Sequence, residues 1–230
     1  MKRREIPDYA VHEERYRARR SKPELYEGWF TAADYISGMK AVKEDLARGF
    51  APRAGRLLDI GCGAGNYSLE FAARGFDVTG IDISATAIDW ANERLASSNV
   101  RASFLCGDAV KMTDVPDDEF DFAFDGHFLH CILGPDRAEF LRNVRRVLRP
   151  DGFFLVRSIV WPVESSPDLE IDKTSRIGYV DGTPYRYYPD AEALVAELSN
   201  AGFEILDWRF TVTTDDGFGF QHVVVQCRNA

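Results

Sequence analysis

From Arg56 onward, short apolar runs alternate with amphipathic stretches of helical period. Arg56–Ile60, Phe76–Ile81, Val100–Leu105, Phe120–Phe124 and Phe153–Ser158 are runs too short for core helices, so each predicts a strand. Between them, Asn66–Arg74 predicts a helix that stops at Gly75, a residue suited to a left-handed cap. Ser84 is an N-cap for a helix that puts Ala87, Ile88, Ala91 and Leu95 on one face. Asp136–Leu148 carries Phe140, Leu141, Val144, Val147 and Leu148 at helical spacing, against a polar face of Arg142, Arg145 and Arg146. Pro150-Asp151-Gly152 then turns the chain into the fifth strand.

After an irregular stretch come a helix over Ala191–Ala201, closed by Gly202, and two strands, Phe203–Trp208 and Phe220–Cys227. Strands separated by helices pair in parallel through right-handed crossovers. The last two strands have no helix between them and predict an antiparallel hairpin. The expected fold is therefore α/β, a doubly wound, mostly parallel seven-stranded sheet with a C-terminal antiparallel hairpin. Residues 1–50 read as an N-terminal helical segment covering the site. Residues 51–230 read as the main domain, with a lid-like insertion at about 160–189.

Composition narrows the class. The 230 residues suffice for one α/β domain with a sizeable core. No apolar run reaches the roughly 18 residues a membrane-spanning helix needs, and the basic start has no apolar stretch behind it. Cys62, Cys106, Cys131 and Cys227 are widely spaced with no CxxC pair, which fits reduced thiols in a cytoplasmic protein. A net charge of −9 argues against a nucleic-acid partner. Arg15, Arg17, Arg19, Arg20 and Lys22 form a local exception. They read either as an anion grip or as a solvated helix face, since Glu13, Glu14 and Glu24 flank them.

The candidate chemistry begins where the first strand ends, at Asp59-Ile60-Gly61-Cys62-Gly63-Ala64-Gly65-Asn66. Glycines at alternate positions let a backbone turn tightly and approach a ligand. Asp82, 23 residues after Asp59, ends the second strand where a carboxylate can accept from ribose hydroxyls. Asp108 follows the third strand, placed to accept from an exocyclic amine. Together these predict a nucleoside pocket. The third glycine of the dinucleotide fingerprint falls at Asn66, and Asp59 would repel a pyrophosphate, so an NAD-dependent oxidoreductase is disfavoured.

The segments LLDIGCGAGNYS (57–68), GIDIS (80–84), CGDA (106–109), FDFAFDGHFLH (120–130) and RNVRRVLRPDGFFLV (142–156) resemble, in order and spacing, the class I S-adenosylmethionine-dependent methyltransferases. The resemblance implies that Gly61, Gly63 and Gly65, with Cys62 in the same turn, line the methionine part of S-adenosylmethionine. It implies that Asp82 binds the ribose, Ile83 packs on the adenine, and Asp108 with the Ala109 backbone reads the adenine edge. Asp59 would lie near the amino-acid end. Acceptor-facing residues in this family follow the fourth strand, here Asp125–Cys131.

His127 is the candidate base, because imidazole transfers protons near neutrality. Asp125, His130, Trp29 and Tyr26 are candidates for the acceptor pocket, and aromatics of the N-terminal segment and the insertion would wall it. No spaced carboxylate accompanies His127, His130 and Cys131, so no metal is expected. The Asn/Asp-Pro-Pro-Tyr motif of many amino-group methyltransferases is absent. The leading expectation is a methyltransferase acting on a small-molecule acceptor. The alternatives are a non-catalytic module binding the same cofactor, and a nucleic-acid methyltransferase using the Arg15–Lys22 cluster.

Overall fold

The computed structural model describes residues 9–165, 168–211 and 221–230. Seven strands form the main sheet: β1 (Gly55–Ile60), β2 (Phe76–Asp82), β3 (Ala102–Cys106), β4 (Phe120–Gly126), β5 (Leu148–Val160), β9 (Phe203–Thr211) and β10 (Gln221–Asn229). Their order is β3-β2-β1-β4-β5-β10-β9. The first five pair in parallel, and β10 lies antiparallel between β5 and β9. The doubly wound sheet with a terminal antiparallel pair is thus present. The predicted start of the last strand, Phe220, lies outside the described residues.

Both faces of the sheet are covered, which is why its strands read as apolar runs rather than as an alternation. Successive residues serve opposite sides. Leu57, Phe122, Phe124, Phe153 and Leu155 pack one way, beneath α2 (Ala32–Leu46) and α3 (Asn66–Ala73). Leu58, Ile60, Ala123, Phe154 and Val156 pack the other way, beneath α5 (Asp136–Val147) and α6 (Ala191–Asn200). On the first face Phe71 meets Phe122 and Phe124 edge-on at 5.6 and 5.0 Å, the geometry ring quadrupoles favour. Pro150–Gly152 is a bulge within β5: pairing with β4 jumps from Phe120–Leu148 to Phe122–Phe153, and Asp151 has a φ of 62°.

A capping box of Thr31 and Asp34 starts α2. Its far end carries Asp45, fully buried, which accepts hydrogen bonds from Arg157 on β5 and Arg209 on β9. This triad fastens the N-terminal segment to the sheet.

The stretch after β5 departs from its irregular reading. β6 (Glu170–Asp172), β7 (Ile177–Val180) and β8 (Thr183–Tyr187) form a small antiparallel sheet over an apolar cluster of Ile159, Val163, Leu169, Ile171, Tyr185 and Tyr188. Its strands are too short to show a period. The turn between β7 and β8 is Asp181-Gly182, both at positive φ (50° and 75°), the strongest short hairpin signal a sequence carries. Among the described residues no helix is long and apolar enough to cross a membrane.

Candidate active site

Strand order reverses between β1 and β4, and their carboxyl ends lie side by side with Ile60 opposite Asp125. Ligands of open α/β sheets bind at such a switch point. A cavity of about 590 Å³ opens there.

Its floor is the turn from β1 into α3. The Gly61 and Cys62 N–H groups donate to the Ile81 carbonyl (2.8 and 3.1 Å), and the Gly63 N–H donates to Asp82 Oδ2 (2.9 Å). Gly63 has a φ of 54°, and a Cβ there would stand 2.1 Å from the Tyr16 hydroxyl. Only glycine meets both conditions. Gly61, Cys62 and Gly63 border the cavity. Gly65 is not among its lining residues; it is the left-handed N-cap of α3 and lies against Phe104 and Ala91.

Asp82 borders the cavity from the end of β2, with its second oxygen, Oδ1, accepting from the Ser84 N–H (2.9 Å). Each oxygen keeps a further acceptor position. Burial pushes this carboxyl up to about 6, against the pull of the Ser84 and Gly63 N–H groups. Ile83 beside it is 44% exposed at the cavity edge, an apolar surface open to a flat ligand. Asp108 also borders the cavity. It accepts from the Val110 N–H (2.9 Å) and pairs with Lys111 (3.1 Å), so a nucleobase amine would share it with that lysine.

The Ala109 side chain packs in the apolar core, so the adenine contact expected there is one for its backbone alone. Asp59 is 2% exposed and takes the Ser68 hydroxyl at 2.5 Å; burial pushes it up to about 7.

At the end of β4 the expectation for Asp125 needs correction. Its carboxylate accepts from the N–H groups of Phe128 (2.5 Å) and Leu129 (2.9 Å), fully buried and away from the cavity. It folds the turn that aims its neighbours. His127, at a φ of 81°, places Nε2 2.9 Å from His222 Nδ1 on β10. A non-glycine residue in that region is held there by its surroundings. His130 is 1% exposed, and neither ring nitrogen has a hydrogen-bond partner.

All four histidines of the chain, His12, His127, His130 and His222, line this one cavity. Burial, together with nearby positive charge, drives His127 and His130 well below the usual imidazole range and His12 down to about 3. The expectation of a group titrating near neutrality is therefore corrected: these rings are neutral. Among the described residues no three His, Cys, Asp or Glu side chains group as metal ligands.

The roof is α1 (Val11–Arg20) and the loop after it. Glu13 accepts from the Ser84 hydroxyl (2.6 Å), the Thr86 hydroxyl (2.6 Å) and the Thr86 N–H (3.2 Å), clamping α1 over the start of α4 (Ala85–Ala96). Tyr16, Tyr26 and Trp29 face the cavity. The basic cluster divides. Arg17 pairs with Glu13 (2.7 Å) and Arg20 with Glu93, while Arg15 and Arg19 turn inward. Tyr185 of β8, one of the insertion's aromatics expected to wall the pocket, lines the site, and so do Arg186 beside it and His222, which were not singled out from sequence. Only the Asp181-Gly182 hairpin signal hinted at Arg186.

The glycine cradle, the acceptor positions on Asp82 and the open Ile83 suit a nucleoside with an amino-acid tail. The methyltransferase-domain family matches residues 58–156. A Bacillus subtilis protein named as a methyltransferase, YqeM, is 32% identical over 165 residues, covering 68% of this chain and 62% of that one. The 27-O-demethylrifamycin SV methyltransferase of Amycolatopsis mediterranei is 42% identical over 133 residues, 56% of this chain and 47% of its own. The chain thus spans about half to three-fifths of the length of these relatives. The solved 1,6-didemethyltoxoflavin-N1-methyltransferase of Burkholderia thailandensis shares the fold at a TM-score of 0.67 and 20% identity, covering 98% of this chain and 93% of that one. The ordered motifs, the topology and these likenesses agree: the chain belongs to the class I S-adenosylmethionine-dependent methyltransferase family.

Proposed function

We propose that this protein transfers the methyl group of S-adenosylmethionine to a small organic acceptor held in the cavity at the β1–β4 switch point. The observation that carries the reading is the convergence, on one cavity of about 590 Å³, of the glycine turn, Asp82 and all four histidines beneath a clamped helix. A volume of that order suits a small molecule rather than a polymer. Two of the similar proteins carry in their names the organic compounds 27-O-demethylrifamycin SV and 1,6-didemethyltoxoflavin. The four cysteines are free thiols, which supports a reducing, cytoplasmic setting.

S-adenosylmethionine, when bound, supplies a methyl group on a sulfonium centre, open to in-line displacement. Gly61, Cys62 and Gly63 would hold its amino-acid tail, Asp82 its ribose, and Ile83 with Asp108 its adenine. Helix α1, the loop after it and the small sheet of β6, β7 and β8 cover the site and exclude water. The chain's remaining task is orientation, which contributes much of the rate of such a reaction. Where the acceptor must lose a proton, His127, neutral, bordering the cavity and hydrogen-bonded through Nε2 to His222, is the group placed to receive it.

Calorimetric titration with S-adenosylmethionine tests the reading. Micromolar binding that Asp82→Ala weakens at least tenfold is expected, since the variant removes the ribose acceptor. Absence of binding to the unaltered protein overturns it.

A further inference from the structure

Deepening the methyltransferase reading, on which it rests, we propose that the acceptor is an aromatic carboxylate, held by Arg15, Arg19 and Arg186 between the rings of Tyr26, Trp29 and Tyr185.

Arg15 and Arg186 both lie over the Tyr185 ring, at 4.5 and 4.7 Å from its centre. Arg19 lies 4.0 Å over Trp29 and 5.4 Å from Tyr26. Its Nε donates to the Trp29 carbonyl (3.1 Å). Among the described residues, none of the three forms an ion pair, although the acidic side chains of the whole chain outnumber its lysines and arginines by 37 to 28. Three guanidinium groups facing one cavity, held by ring faces instead of carboxylates, repel one another unless an anion joins them.

Hydrogen-bonding capacity points the same way. Arg186 Nε, Arg157 Nε, the Tyr185 hydroxyl and both ring nitrogens of His130 are buried without partners, and all belong to residues lining this cavity. Such unpaired buried groups are costly; the two Nε groups and the Tyr185 hydroxyl call for acceptors, and neutral His130 for one acceptor and one donor.

The carboxylates that also border the cavity serve other ends. Asp82 ends β2 and Asp108 follows β3; both take backbone N–H groups, Asp108 also pairs with Lys111, and Asp34 caps α2. Asp168 is exposed at the edge. A carboxylate matches the planar fork of guanidinium, and an aromatic body matches the aromatic walls that Tyr16, Tyr26 and Phe30 add to the same cavity.

The test titrates 4-hydroxybenzoate and its neutral counterpart 4-hydroxybenzamide into the protein, with and without saturating S-adenosylhomocysteine. Carboxylate binding at least tenfold tighter than amide binding is expected in the cofactor-loaded protein. Arg186→Gln and Arg15→Gln should each weaken the carboxylate about tenfold and leave the amide unchanged, the loss of one charge-assisted contact. Equal affinities, a tighter amide, or no carboxylate binding overturns the proposal. The comparison within the unaltered protein stands even if a variant fails to fold. Failure of S-adenosylhomocysteine to bind would instead sink the methyltransferase reading, while the carboxylate preference of the cofactor-free protein remains measurable.

Discussion

His127 Nε2 and His222 Nδ1 stand 2.9 Å apart across 95 residues of sequence, joining the end of β4 to the start of β10 through one imidazole–imidazole hydrogen bond. One ring donates and the other accepts, so the bond persists if a single ring is doubly protonated, but His127 can take up a proton only in its neutral form. Burial holds His127 well below the usual imidazole range, so its neutral form persists through pH 6.5–8. Methyl transfer should be flat across that window and fall only on the acid side. His222→Phe should lower the rate about a hundredfold while leaving S-adenosylmethionine affinity within about threefold. An unchanged rate would show that the pair has no part in proton movement.

Asp82 predicts a pH dependence of the opposite origin. Its carboxyl, pushed up to about 6 by burial, must be ionised to accept from two hydroxyls. Affinity for S-adenosylhomocysteine should be constant above pH 7 and weaken as pH falls through 6, approaching about tenfold per unit below it. Asp82→Asn should bind weakly at every pH. Calorimetry between pH 4.5 and 8 reads both.

Gly63→Ala meets two separate obstacles, a φ of 54° and a hydroxyl 2.1 Å from the new methyl. A loss of about 1–3 kcal/mol is expected from the backbone alone. Adding Tyr16→Phe removes the hydroxyl and should recover the steric part only. Thermal unfolding of the single and double variants separates them, and strictly additive losses would contradict the contact.

Glu13 should govern whether α1 stays down. Although burial opposes it, hydrogen bonds from Ser84, Thr86 and Arg17 hold its carboxyl down to about 2, so the clamp is fully charged at neutral pH and is lost only in strong acid. Glu13→Ala should speed amide exchange across Val11–Arg20 about tenfold and weaken cofactor binding, because local opening no longer breaks those bonds. Exchange unchanged in that helix would mean that the aromatic contacts alone hold it.

Asp45 offers a stability test remote from the chemistry. Asp45→Ala leaves Arg157 buried without its counter-charge, which should cost about 3–5 kcal/mol and lower the melting temperature by roughly 10 °C.

The order of strands and helices was legible because burial on both faces demands apolar runs, and the helices between them carry a 3.6-residue period. The glycine turn was legible for a related reason: positive φ and close approach leave few residue types, and Gly61, Gly63 and Asp82 advertise them locally. Asp125 was misread because position after a strand does not show which way a carboxylate points; its bonds to the Phe128 and Leu129 N–H groups decide that. The small sheet of β6, β7 and β8 was missed because three to five residues carry no period, although Asp181-Gly182 marked its turn.

What this sequence determined by itself is therefore the sheet, its switch point and the half of the site built from consecutive residues. The other half joins His12 and Arg15 on α1, Arg186 on β8 and His222 on β10. Their meeting depends on the sheet order and on the clamp of Glu13, interactions between residues far apart in the chain, and only the tertiary structure decided it.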